Sequence, residues 1–133
     1  MVPGTSPATG WLGIEIVANG EGEGEAVLRL ATRPEMANRS GVVHGGFIAL
    51  LADSAMSRAL GTVLPEGERH ASFDLKLSFI ASARIGEALE AVAKVLHSGR
   101  RTGVAECRVA ASGDRLVATG TATFIIYLPE SQS

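Results

Sequence analysis

The sequence has little or none of several features that define whole classes of protein. Its single cysteine, Cys107, excludes an internal disulfide and is typical of a reducing compartment. Although hydrophobic residues make up 46% of the chain, no run approaches the roughly 18 consecutive apolar residues of a membrane-spanning helix. The net charge of only -2 predicts neither a nucleic-acid nor an anionic-membrane partner. The composition therefore favours a cytoplasmic globular protein.

Histidines are also scarce, and their positions argue against a metal centre. The chain has 3 of them, and neither His70 nor His97 has metal-ligand spacing to His44 or to the other. We expect no metal and no other cofactor. Cys107 shares a predicted strand face with apolar neighbours, so we interpret it as part of the core rather than as a nucleophile.

The length of 133 residues predicts one domain. Residues 1–10 lack the basic and apolar regions of a signal peptide, and we expect them to form a short disordered lead. The predicted domain then covers residues 11–133.

Alternating apolar and polar residues predict six strands. These are residues 11–19, where a helical turn is the alternative, then 25–32, 71–80, 84–97, 100–111 and 116–127. Turns are predicted at 20–24, 98–99 and 112–114. In the third strand Ser72 falls on the polar face, and the face predicted to be buried holds Phe73, Leu75, Leu77 and Phe79. Because short turns join the last three strands, we expect an antiparallel sheet.

A polar, glycine-rich loop at residues 38–46 runs directly into an apolar segment at 47–60. Apolar residues at helical spacing cover most of the circumference of that segment, which predicts a buried helix ending at Gly61 and an α+β fold. The first N–H groups of such a helix lack partners within it and favour negative charge in front of them. Gly45 and Gly46 have no Cβ, so a ligand atom can approach their amides closely.

Asp53 is the only carboxylate in the predicted helix, and a charge among apolar neighbours needs a partner or a function. Its separation from Gly45 corresponds to about 12 Å of helical rise. An aspartate side chain cannot span that gap, yet a reacting carbonyl must lie roughly 3 Å from both its attacker and its oxyanion donors. If the two residues serve one site, a second copy of the chain must supply one of them. The spacing therefore predicts a homodimer with its site at the interface.

The loop and the helix together carry a motif with defined spacing. Its positions are Asn38, Gly41, His44, Gly45, Gly46, Ala52 and Asp53. This motif resembles the signature of hotdog-fold acyl-CoA thioesterases, in particular the phenylacetate-pathway (PaaI-like) group of the 4-hydroxybenzoyl-CoA thioesterase superfamily. The resemblance implies a hotdog fold, in which an antiparallel β-sheet wraps around one long central helix. It also implies hydrolysis of acyl-CoA thioesters to acid and coenzyme A, in homotetramers built as dimers of dimers.

By the same resemblance, Asp53 is the catalytic carboxylate, acting as nucleophile on the thioester or as general base for water. The N–H of Gly45 would hold the thioester oxygen, with Gly46 beside it at the substrate. Asn38 would position the water or the carboxylate, and His44 would orient the thioester or brace the loop. Family members take the aspartate from one protomer and the loop residues from its partner, in agreement with the helix distance.

Three further residues are candidates for contacts with the reactants. Ser72 matches a serine that contacts the reacting water in some relatives. Arg100 and Arg101, at a predicted hairpin turn, are solvated cations by default, and their alternative role is to contact the phosphates of coenzyme A. The chain departs from the family pattern at residues 81–83, where many relatives have an Arg-Pro pair, so the resemblance assigns no contact there.

Other functions are open for a chain of this kind. A hotdog protein can bind acyl-CoA without hydrolysing it, although binding alone does not require an ionised carboxylate in an apolar helix. Hotdog dehydratases that act on acyl carrier protein have a motif that resembles a His-Phe-Pro loop followed by a helical glutamate. This chain has His-Gly-Gly and an aspartate at the corresponding places. Aryl and medium-chain acyl groups are both open as substrates.

Overall fold

Six antiparallel strands pack around one long helix in the computed structural model of the chain, which describes residues 6–18 and 24–128. The elements are α1 (Pro7–Leu12), β1 (Glu15–Ala18), β2 (Glu25–Ala31), α2 (Gly45–Gly61), β3 (Arg69–Phe79), β4 (Ala88–Ser98), β5 (Thr102–Ala111) and β6 (Arg115–Tyr127). The strands pair in the order β1-β2-β4-β5-β6-β3, and each pair is antiparallel. This is the hotdog arrangement, so the predicted α+β class is confirmed.

Small and apolar side chains bury α2 against the inner face of the sheet. The buried residues of the helix are Ile48, Leu51, Ala52, Ala55, Met56, Ala59 and Leu60. Close packing extends to the end of the helix, because a Cβ on Gly103 of β5 would lie 2.7 Å from Leu60 Cδ1. Cys107 is part of the same core, and burial raises the pKa of its thiol to about 12. A thiol with that pKa stays protonated at neutral pH, in agreement with a core role.

The N-terminal segment differs from the expected disordered lead. Ser6 caps α1, since its hydroxyl accepts a hydrogen bond from the N–H of Thr9 while the Thr9 side chain accepts one from the N–H of Ser6. Pro7 lies in the first turn, where its missing N–H leaves no helical bond unmade. Residues 7–10 are therefore helical, and the lead prediction is wrong for them.

The first predicted strand is also shorter than expected. Within the described residues 11–18 of the predicted 11–19 segment, only Glu15–Ala18 pairs with β2, because residues 11 and 12 belong to α1. Gly13 ends that helix in the left-handed conformation, with φ of 89°. Residues 20–23 of the predicted turn at 20–24 lie outside the described part of the chain.

A β-bulge in β3 changes which side chains face the helix. The pairing with β6 shifts between Ser72, which lies opposite Phe124, and Asp74, so Phe73 is the extra residue. Phe124 is fully buried and its neighbour Ser72 faces α2, whereas Phe73 is 69% exposed. The predicted faces are therefore wrong for Ser72 and Phe73. Beyond the bulge the prediction holds for Leu77, which packs against the core.

The strand β3 is also an edge of the sheet. It pairs with β6 on one side, and no other described strand pairs with it on the other. Leu75 is 38% exposed and Phe79 is 56% exposed, contrary to their predicted burial. A long edge strand that exposes apolar side chains is a site at which another strand can pair.

An ion pair holds the connection between β3 and β4. Arg115 donates two hydrogen bonds to the Glu87 carboxylate, at 2.8 and 3.0 Å, and a third to a loop carbonyl at 2.8 Å. Glu87 also accepts a hydrogen bond from the N–H of Arg84 at 2.7 Å. Next to Arg84, the carbonyl of Ala83 accepts a hydrogen bond from the N–H of Val43. The ion pair therefore supports the loop that precedes α2.

We expect Glu87→Gln to lower the melting temperature at neutral pH. The hydrogen bonds from Arg115 lower the pKa of Glu87 to about 2, from a usual 4.5. Because the folded-state pKa is depressed, the carboxylate stabilises the fold above about pH 4.5 and loses that contribution as the pH falls toward 2. The difference in melting temperature between variant and parent should therefore shrink between about pH 5 and about pH 3.

The matched control is Glu90→Gln. Glu90 pairs with Arg29 at 3.5 Å, and the two side chains are 42% and 51% exposed, so this pair should contribute little. We expect a smaller change in melting temperature for the control at every pH. A deficit for Glu87→Gln that is as large at pH 3 as at pH 7 would contradict the assigned role of the carboxylate.

Candidate active site

The glycine-rich loop is organised by the side chain of Asn38. Its Oδ1 accepts hydrogen bonds from the N–H groups of Ser40, at 2.9 Å, and Val42, at 3.3 Å. Gly41 makes the turn between them with a left-handed φ of 82°, which a residue without Cβ adopts readily. Among the described residues, the Nδ2 amide of Asn38 has no hydrogen-bond partner. Asn38 therefore holds the loop with its oxygen and keeps its two N–H donors for a ligand or water.

His44 caps the N-terminus of α2. Its backbone N–H donates to the carbonyl of Met36 at 2.8 Å, and its Nδ1 accepts a hydrogen bond from the N–H of Gly46 at 2.9 Å. Since Nδ1 is an acceptor, a neutral ring carries its proton on Nε2, as a donor that reaches solvent. The N–H of Gly46 is therefore used within the chain, and contact of Gly46 with a substrate stays a prediction.

Gly45 is the first residue of α2, and its N–H has no hydrogen-bond partner within the described ranges. A Cβ at this position would lie 3.2 Å from Cζ of Phe79, so the ring packs directly on the glycine. The sequence indicated Gly45 but not Phe79, which sits 34 positions away at the end of β3. The result is one unpaired amide at a helix N-terminus beside an aromatic ring, an arrangement suited to a carbonyl oxygen.

Asp53 lies two turns further along α2 and is half-buried. Its Oδ1 accepts a hydrogen bond of 2.6 Å from the hydroxyl of Ser72. This contact exists because the bulge in β3 turns Ser72 toward the helix. The charge in the apolar helix therefore has a partner, and the bond fixes one carboxylate oxygen while the other remains available for chemistry.

The predicted site residues form two clusters within one chain. The first cluster holds Asn38, His44, Gly45 and Gly46, and the second holds Asp53 and Ser72. The helix α2 runs unbroken between them, so about 12 Å of rise separates Gly45 from Asp53. One chain does not bring both clusters to a single reacting carbonyl.

An open groove of about 630 Å³ follows the exposed stripe of α2 beside the second cluster. Its helix wall consists of Leu50, Asp53, Ser54, Ser57, Arg58, Gly61 and Thr62. Apolar side chains of β1, of β2 and of the residue before β1 also line it: Ile16, Leu28 and Ile14. The groove is long enough, at about three helical turns, to hold an extended organic group next to the carboxylate.

His70 is a residue of this groove that the sequence did not indicate. Its Nε2 lies 2.8 Å from Oγ and 3.0 Å from the carbonyl oxygen of Ser57, and its ring packs edge-to-face on Phe124. Burial lowers the pKa of His70, while the Ser57 carbonyl and the charge of Asp53 act in the opposite direction. The bulge in β3 puts His70 and Ser72 on the helix side together, and no local sequence pattern indicates that bulge.

Arg100 and Arg101 lie in the exposed hairpin between β4 and β5. The carbonyl of Arg101 accepts a hydrogen bond from the N–H of Ile126, which pairs with His70. The hairpin therefore lies at the sheet end that carries the C-terminus of α2, away from the first cluster.

In residues 6–18 and 24–128, no three His, Cys, Asp or Glu side chains come together as metal ligands. No helix in the same ranges is long and apolar enough to cross a membrane.

Comparisons with known proteins place this geometry in a family. A sequence model of the Thioesterase superfamily matches residues 40–118. The acyl-coenzyme A thioesterase PaaI of Escherichia coli is 30% identical over 107 residues, which are 80% of this chain and 73% of that protein.

Solved structures agree. Conserved protein PA5202 from Pseudomonas aeruginosa has a TM-score of 0.85 at 33% identity, covering 92% of this chain and 95% of that one. The PaaI protein of the E. coli phenylacetic acid degradation operon has a TM-score of 0.83 at 26% identity, covering 91% and 84%. With a family match over more than half of its length and the same fold in its relatives, the chain belongs to the Thioesterase superfamily, as a PaaI-like protein with the hotdog fold.

Proposed function

We propose that the protein hydrolyses acyl-CoA thioesters, with aryl or medium-chain acyl groups, to the free acid and coenzyme A in the cytoplasm. The observation that carries the proposal is the carboxylate of Asp53, held by Ser72 in the wall of a groove. Binding alone gives no reason to place an oriented carboxylate there. The name of the E. coli relative, an acyl-coenzyme A thioesterase, supports the same reaction.

The reaction needs few groups, because a thioester carbonyl is electrophilic and a thiolate leaves readily. Asp53 attacks that carbonyl or takes a proton from the attacking water, using the oxygen that Ser72 does not hold. The N–H of Gly45 binds the carbonyl oxygen as negative charge develops. His44 and Asn38 direct their remaining N–H donors at the thioester and the water.

Both clusters serve one site only if two chains combine. In the proposed homodimer, the β3 edges of two copies pair about a twofold axis and cover the apolar side chains that each exposes, among them Phe73, Leu75 and Phe79. Asp53 of one protomer then faces Gly45 of its partner. The tetramer implied by the resemblance would add a contact between dimers, and the chemistry requires only the dimer.

Arg100 and Arg101 remain proposed contacts for the phosphates of coenzyme A. Both side chains are exposed in the β4–β5 hairpin, and guanidinium groups bind phosphate oxygens in pairs. The nucleotide would then lie on the surface while the acyl group enters the groove.

Replacing the carboxylate tests the proposed reaction. Asp53→Asn keeps the shape of the side chain and an oxygen for Ser72, but it removes the charge that attacks or accepts a proton. We expect thiol release from acyl-CoA substrates, followed with a thiol-reactive dye, to fall about 10²-fold to 10⁴-fold. Asp114→Asn, which makes the same change at an exposed aspartate in the turn between β5 and β6, is the control and should retain the parent rate.

Equal rates for Asp53→Asn and its parent would remove Asp53 from the mechanism. Binding of acyl-CoA by the parent protein without any release of thiol would instead favour a non-catalytic binding protein.

A charge on the β3 edge tests the dimer. Phe73→Glu should oppose edge pairing, and we expect sedimentation as a monomer with loss of thiol release, because the two clusters separate. Val92→Glu places the same charge on an exposed position of β4, inside the sheet, and should leave both activity and the dimer in place. A parent protein that is monomeric and fully active would contradict the shared site.

A further inference from the structure

Two side chains of β3 bond the long helix at matching places. Ser72 donates a hydrogen bond of 2.6 Å to Oδ1 of Asp53. The ring of His70 lies against Ser57, with Nε2 at 2.8 Å from the hydroxyl oxygen and 3.0 Å from the carbonyl oxygen. His70 and Ser72 are about 7 Å apart along the strand, and Asp53 and Ser57 are about 6 Å apart along the helix. The strand and the helix are therefore joined at two neighbouring points.

The partners of His70 determine which atom donates. A carbonyl oxygen only accepts hydrogen bonds, so the 3.0 Å contact with the Ser57 carbonyl places a proton on Nε2. Burial lowers the pKa of the ring and favours its neutral form, while the Ser57 carbonyl and the charge of Asp53 act in the opposite direction. The N–H of Nε2 then donates toward both oxygens of Ser57. His70 is therefore a donor to the helix, and a replacement needs a donor at the same place.

The ring of His70 is packed on two sides. It lies edge-to-face on Phe124 of β6, with ring centroids 5.5 Å apart, and Phe124 is fully buried opposite Ser72. On the helix side, its Cε1 lies 3.7 Å from the place that a Cβ on Gly61 would occupy. Packing of this kind restricts the ring to one rotamer, so the connection that it makes between strand and helix is stiff.

The sheet alone does not fix the distance between Ser72 and the helix. Hydrogen bonds between strands run in the plane of the sheet, so they hold a strand beside its neighbour and leave its height above the helix to side-chain contacts. A bulge also shifts the pairing of β3 with β6 between Ser72 and Asp74. A movement of about 1 Å away from α2 would break the 2.6 Å bond to Asp53. A second connection to the same helix prevents the strand from tilting about Ser72.

We propose that His70 is a positioning residue for the Asp53 carboxylate: by donating to Ser57 of α2, it holds Ser72 at hydrogen-bonding distance from Asp53. His70 acts through Ser72, which fixes one carboxylate oxygen and so aligns the other. Alignment matters because small displacements of a reacting group cost large factors in rate. The inference rests on the proposed function, since it takes Asp53 as the carboxylate that attacks the thioester or activates water.

Two amide variants of His70 form a matched pair. The side-chain N–H groups of His70→Gln lie near the position of Nε2, and those of His70→Asn lie near the position of Nδ1, too far from Ser57. We expect kcat for thiol release to fall about 10-fold in His70→Asn with little change in KM, because the chemical step depends on the alignment. His70→Gln should keep most of the parent kcat. His97→Asn makes the same change at an exposed histidine of β4 and should keep the parent kcat.

A double-mutant cycle separates positioning from general effects on folding. Ser72→Ala removes the group through which His70 acts, so adding His70→Asn to Ser72→Ala should cause no further loss of kcat. Independent effects would instead multiply. The melting temperature of each variant shows that it is folded at the temperature of the assay.

The proton on His70 can be observed without a substrate. Nitrogen chemical shifts distinguish the protonated nitrogen of a neutral imidazole from the unprotonated one, and His70→Asn identifies the signals. We expect the proton on Nε2. A proton on Nδ1 would leave no donor for the Ser57 carbonyl and would overturn the inference.

Failure of the inference and failure of the proposed function give different results. Parent-like kcat in His70→Asn, equal losses in His70→Gln and His70→Asn, or an undiminished effect of His70→Asn in the Ser72→Ala background overturns the role of His70 alone. Thiol release by the parent protein from neither aryl nor medium-chain acyl-CoA overturns the proposed function as well.

Discussion

An α-helix rises by a fixed amount, about 1.5 Å per residue, and this sets the distance between the two clusters of candidate site residues. It keeps the unpaired amide of Gly45 and the carboxylate of Asp53 apart at two points of one rigid element. Neither residue can move toward the other without unwinding a helix that is buried along most of its length. In the proposed function a single chain is therefore half of a reaction centre, and the exposed edge of β3 is where the second copy would pair.

Each half is held by short hydrogen bonds within its own chain. The loop depends on the Asn38 side chain and on His44, and it is supported from behind by the contact of Val43 with Ala83. The carboxylate half depends on Ser72, which reaches Asp53 because an extra residue in β3 shifts the side-chain alternation. Preorganised groups of this kind lose little freedom when a substrate binds, which is what an electrostatic site needs.

Most of the fold followed from sequence periodicity, because helical spacing and alternation report on local burial. The buried helix, the strands after it and the glycine-rich loop were all predicted on these grounds. The bulge at Phe73 was not, since it depends on how β3 pairs with β6, a contact between segments about 50 residues apart. That one shift moved Ser72 and His70 onto the helix side.

Two other predictions from the sequence were wrong for different reasons. The helix at Pro7–Leu12 had a readable signal, a capping box between Ser6 and Thr9, which the alternation of the following apolar residues obscured. The exposure of Phe79 had no such signal, because an apolar residue of an edge strand follows the same alternating pattern in the sequence whether or not its own chain buries it.

Mixing two defective subunits is the most direct test of a shared reaction centre. Asp53→Asn removes the carboxylate, and Gly45→Pro removes the amide N–H at the first helical position. Proline fits the helix there, and the exposed Phe79 ring has to shift by a few tenths of an ångström to make room for its Cβ. Each variant alone should release little thiol. When the two variants are refolded together in equal amounts, half of the dimers are hybrids, and each hybrid has one intact site out of two. A shared site therefore predicts about one quarter of the parent activity. Hybrid dimers that form but recover no activity would contradict it.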